Sequence, residues 1–151
     1  MSTYTVQMQR VVDEYMKADQ PWPATSRQIA AWAIRNRRWA PHPSRLISQC
    51  ADELAKAMRE EYIVDPQGRS VRAKHAARLQ KDGAQLTLWA DIRTATTEHM
   101  QVAFQQRRQQ IVGECSQLKQ DVDSFNENRS PIRPIQIVFD FRADLAELDV
   151  A

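Results

Sequence analysis

Phe104, Ile111, Leu118 and Phe125 recur every seven residues. An apolar repeat of that period keeps one face along a continuous helix, so this chain must accommodate a long one. Met100, Cys115 and Val122 fill the adjoining turns, and the stripe runs over about 28 residues from Glu98 onward. Arg107 and Arg108 interrupt it, so it does not specify an ideal two-stranded coiled coil. Glutamines such as Gln101, Gln105, Gln109 and Gln117 supply a polar, uncharged outer face. Phe104, Ile111, Cys115, Leu118, Val122 and Phe125 are therefore the expected seam of a homodimer.

A chain of 151 residues cannot also hold a barrel enzyme or a two-domain dinucleotide enzyme. Its three glycines, Gly68, Gly83 and Gly113, are isolated. Phosphate-cradling loops use clustered glycines, so neither a P-loop nor a dinucleotide fingerprint is present. With 42% hydrophobic and 26% charged residues, a folded core is expected rather than disorder.

The first half reads as short helices punctuated by proline. Tyr4, Met8, Val11, Val12, Tyr15 and Met16 mark a helix over 4–17, which Pro21 and Pro23 end. Thr25 or Ser26 caps a second helix reaching about Asn36, with Ile29, Trp32 and Ala33 inward. After a break at 37–43, Pro43 or Ser44 opens a third helix over about 44–61. Its inner stripe is Leu46, Ile47, Cys50, Ala51, Leu54, Ala57 and Met58. Tyr62-Ile63-Val64 is β-prone, and Asp65-Pro66-Gln67-Gly68 has the residues of a tight turn. A return strand over 69–75 completes a small hairpin, and Gly83 ends the block.

Residues 84–127 read as mostly helical, with a cap or boundary among Thr94, Thr96 and Thr97. Trp89 is expected to dock this region onto the first domain, and Trp22, Trp32 and Trp39 to pack that domain's core or hinges. A linker begins at Asn126. Ile135 to Phe141 is the most β-like run in the chain, and the acidic 143–148 stretch allows one or two helical turns. The expected fold class is mainly α: a three-helix domain with a small β-hairpin over 1–83, a long amphipathic helical region over 84–127, and a linker with a short β-prone segment and acidic tail over 128–151.

Charge is unevenly spread. Residues 1–83 carry 14 Lys or Arg against 9 Asp or Glu, whereas 84–151 carry 7 against 10. That asymmetry suggests a polyanion-binding front half and a back half that binds elsewhere.

Three helices followed by a hairpin within about 75 residues resembles a winged helix-turn-helix domain. The 37–43 break is longer and richer in proline than the usual turn. The resemblance implies that the third helix enters a DNA major groove and that the hairpin is the wing. Arg45, Ser48 and Gln49 would then face base edges, and Ser44 with the helix start would offer amides to a phosphate. Arg27, Arg35, Arg37 and Arg38 would contact phosphates around them, as would Arg69, Arg72 and Lys74 from the wing. Asp52, Glu53, Glu60 and Glu61 confine any close approach to the first half of that helix.

The expectation is a dimeric protein that binds double-stranded DNA, in transcription regulation or as a replication or partition accessory factor. The other class is a protein-interaction or assembly module, with a protein partner at 135–149 taken up by strand addition. No catalytic residues are expected, because Cys50 with His75 is the sole conceivable nucleophile–base pair and lies on an apolar stripe. No cofactor is expected. His42, His75 and His99 are dispersed, so no metal site is expected. Cys50 and Cys115 are expected as buried thiols, which with no secretion signal and no membrane span points to the cytoplasm.

Overall fold

The computed structural model describes residues 3–150, the side chain of Val150 excepted. It divides into two units, residues 1–54 and 55–151. The boundary lies inside the third helix, whereas composition places one near residue 83.

In the first unit, α1 spans Tyr4–Lys17 and α2 spans Ser26–Arg35. The Thr3 hydroxyl accepts from the Val6 amide and starts α1. Thr25 and Gln28 form a reciprocal capping box that satisfies two amides at the start of α2. A short 3-10 turn at Pro43–Arg45 leads into α3, Leu46–Arg59. The core is aromatic. Tyr15, Trp32 and Ala33 are buried, with Val11, Ala24, Ile29 and Trp39 packed against them. The Tyr15 and Trp32 rings meet edge to face at 5.6 Å, the arrangement their quadrupoles favour. The Tyr15 hydroxyl donates to the Pro21 carbonyl at 2.8 Å, so its polar end is satisfied. Trp39 donates its indole N–H to the Tyr4 hydroxyl at 2.8 Å.

The first half of α3 behaves differently. Leu46, Ile47, Cys50, Ala51 and Leu54 were expected inside, yet all are exposed. A buried Cys50 thiol is thereby corrected, and Cys115 is half-buried. The stripe is present as a pattern but finds no cover.

The second unit contains two hairpins. β1, Tyr62–Val64, pairs antiparallel with β2, Ser70–Arg72, in the register Ile63 to Val71. Asp65 builds the turn: its carboxylate accepts from the amides of Gln67 and Arg69, and Gly68 takes the left-handed φ of 87°. Three helices followed by this hairpin reproduce the element order of the winged-helix resemblance.

The second hairpin corrects the sequence reading. Residues 84–91 are not helical. They form β4, Ala84–Asp91, antiparallel to β3, Lys74–Lys81. Asp82 and Gly83 both adopt positive φ, 53° and 78°, which gives the two-residue turn whose twist suits a hairpin.

The long helix α4 spans Thr97–Arg129. Thr96 caps its start and Ser130, left-handed at φ 45°, ends it. α4 lies against β3. Ala73, His75, Ala77 and Ala103 are buried there, and the His75 ring meets Phe104 edge to face at 5.4 Å. Gln106 takes both backbone groups of Arg78, donating to its carbonyl at 2.8 Å and accepting from its amide at 2.7 Å.

The tail is a second correction. Ile135 to Phe141 pairs in no strand, and α5, Arg142–Val150, follows it. Asn126 accounts for the start of this segment, because its side-chain amide bonds both the amide and the carbonyl of Ile135.

Candidate nucleic-acid interface

Each residue of the expected DNA surface can be followed through its local chemistry. In the first unit, Arg27 and Arg35 stand exposed on α2. Asn36 ends that helix by donating its side-chain N–H to the Trp32 carbonyl, and Arg37 turns the chain at a φ of 57°. Among the described residues, Arg27, Arg35 and Arg37 pair with no carboxylate. Arg38 differs: its guanidinium meets Glu14 at 2.8 Å.

Beyond the turn, a groove of about 430 Å³ is bounded by Tyr4, Trp39, His42, Arg45, Ser48 and Gln49. The Arg45 guanidinium lies 3.7 Å from the centroid of the Tyr4 ring. That stacking fixes the cation while leaving its edge donors available. Ser44 is taken up locally, with its hydroxyl 2.6 Å from the His42 ring nitrogen. Ser48 and Gln49 are exposed on the first turns of α3. Asp52 and Glu53 close the far end of the groove, and Gln49 leans towards Glu53 at 3.5 Å.

The wing is more neutral than its sequence suggests. Arg69 pairs with Asp65 at 2.8 Å, and its backbone amide holds that carboxyl below the usual carboxylate range. Lys74 pairs with Glu61 at 2.7 Å and reaches Asp91 at 3.5 Å, and the Glu61 bond raises its pKa. Asp91 is also held well below the ordinary carboxylate range, chiefly by the Arg93 side chain. Lys74 opens β3 and so lies outside the β1–β2 hairpin where the wing was expected; of the three expected wing cations, only Arg72 lacks an acid partner among the described residues.

Arg72 instead faces a residue that sequence reasoning left out of the site, Arg107 of α4. Both line a cleft with Tyr62, Ser70, His75 and Phe104. Burial lowers the Arg107 pKa first, and the nearby Arg72 charge lowers it further. His75 is pushed down by burial and by both arginines, partly offset by its bond to the Arg72 carbonyl. The signal in the sequence was the pair Arg107-Arg108 breaking an apolar stripe.

Along the expected dimer seam, Phe104, Ile111, Leu118 and Phe125 are 42–54% exposed, a range no buried monomer core would show. Cys115 and Val122 are half-buried. Val122 lies beside the returning segment 135–139, and Arg129 stands 5.8 Å over the Phe125 ring. Among the described residues, no helix is long and apolar enough to cross a membrane, and no three His, Cys, Asp or Glu converge as metal ligands.

Comparison with family models, with curated proteins and with solved structures gives no match for this chain. The winged-helix resemblance thus stands at the level of element order, and function is argued from the residues.

Proposed function

We propose that this chain is a duplex DNA-binding protein acting as a homodimer, in transcription regulation or in replication or partition. The supporting observation is the unpaired charge of Arg27, Arg35 and Arg37, next in the chain to a helix that opens with exposed Arg45, Ser48 and Gln49. Cations without acid partners have their charge free for phosphates. Arg and Gln side chains at a helix start can make paired hydrogen bonds to guanine and adenine edges. The ion pairs of Arg38, Arg69 and Lys74 give the wing and the α1 side a smaller part. The test is fluorescence anisotropy with random duplex DNA at about 50 and about 200 mM salt. Tight binding that collapses at the higher salt, and that Arg35→Gln with Arg37→Gln weakens at every sequence, supports the reading. Absence of binding at both salts sinks it.

A second reading, a protein-assembly module, is favoured by surface area. The chain exposes 13134 Å². A single folded chain of this mass shows about 7,900 Å², and two separate folded bodies of these sizes about 9,400 Å² together. The excess includes the α4 stripe, which suits contact with another protein surface. Sedimentation velocity separates the two: a salt-insensitive complex without duplex affinity is the module's signature.

A further inference from the structure

The cleft between the β1–β2 hairpin and α4 sets Arg72, a wing residue of the DNA reading, beside Arg107, which that reading does not use. Its volume is about 280 Å³. Arg72 and Arg107 bring two positive charges to it, and no Asp or Glu lines it. Among the described residues neither arginine has an ion-pair partner. The hydroxyls of Tyr62 and Ser70, both at its wall, have no hydrogen-bond partner there either. Phe104 contributes an apolar face beside them. Two close guanidiniums without a counter-charge disfavour one another. Arginine forks match phosphate oxygens two at a time, and two such forks balance a dianion. Hydroxyl donors can serve the remaining oxygen.

We propose that this cleft binds a small phosphate monoester, with its dianionic phosphate held between Arg72 and Arg107 and its organic body resting on Phe104. A carboxylate would balance only one of the two charges. The volume admits a phosphate with a small ring and little more. The proposal shares Arg72 with the wing and Phe104 with the dimer stripe, while the main support for the DNA reading lies in the first unit.

Phenyl phosphate is the probe, titrated calorimetrically into the full chain, with phenol as the uncharged control. The expected result is binding at about 1 mM or tighter, none for phenol, and at least about tenfold loss in Arg72→Gln and in Arg107→Gln. Each substitution should also raise the ligand-free melting temperature, because it removes a like-charge contact. Three results overturn the proposal: no phenyl phosphate binding to the parent chain, binding to either variant as tight as to the parent chain, or lost binding accompanied by a lower melting temperature. Displacement of phenyl phosphate by duplex DNA would also overturn it, by assigning the cleft to backbone phosphates.

Discussion

α1 and α4 carry the same kind of information in sequence and are covered to different extents. Each has an apolar stripe at helical spacing. In α1, Tyr15 near the C-terminal end of the stripe is 2% exposed, enclosed by Trp32 and the residues around it, while Tyr4, Met8 and Met16 of the same stripe stay exposed. In α4, Ile111 at the centre of the stripe is 54% exposed. Periodicity fixes which side chains share a face, but it carries no information on what covers that face. Coverage depends on a partner element of matching shape. α2 supplies one for Val11 and Tyr15 of α1, while β3 covers only the N-terminal part of α4. Under the proposed homodimer, a second copy would cover the remainder.

This contrast can be broken or sharpened by substitution. The largest effect is expected for Trp32→Ala, which removes the ring that closes over Tyr15. It should cost about 3–5 kcal/mol and melt the first unit, read by chemical denaturation with Tyr and Trp fluorescence. Survival of that unit with a small loss would show that its aromatic core is not what holds it. Next comes Gly83→Ala. No heavy atom lies within 4 Å of the added carbon, so the penalty is conformational alone, from a φ of 78°. A loss of about 1–2 kcal/mol is expected, and a neutral result would show that the turn changes type freely.

Gln106→Ala removes two hydrogen bonds to Arg78, at an exposed place where water can replace them. A cost of about 1 kcal/mol is expected, with faster hydrogen exchange at the Arg78 amide. Unchanged exchange there would mean that the helix does not secure the strand. The smallest change in stability belongs to Ile111→Asp with Leu118→Asp. An exposed stripe should lose no more than about 0.5 kcal/mol of monomer stability, while sedimentation shows a dimer becoming a folded monomer. Collapse of the fold would place the stripe in the monomer core and erase the contrast with α1.

The same distinction explains what could be read in the sequence. The first three helices and the first hairpin were legible because their signals are local. Thr25 with Gln28 caps α2, prolines stop the helices, and Asp65 through Gly68 build their turn from their own side chains. The second hairpin was hidden because Leu86, Leu88, Trp89 and Ile92 fit a helix as readily as a strand. Gly83 suggests an ending by itself, but together with Asp82 it makes a reversal. At the candidate interface, the basic character of Arg35 and Arg37 was legible. The neutralisation of Lys74 was not, because its partners Glu61 and Asp91 lie on either side of it and far along the chain. The tail misled for a related reason. Ile135 to Phe141 has the composition of a strand, but Asn126 takes up the backbone of its first residue.

The bond pair between Gln106 and Arg78 has a meaning beyond its contribution to stability. An unprotected strand border is a template onto which foreign chains can add and from which fibres can grow. Here a helix side chain, shaped like a peptide group, occupies that border at Arg78 and makes there the same two bonds another strand would make. Release of α4 would uncover a growth surface, so conditions that loosen the helix should favour insoluble material before they favour a dispersed unfolded chain.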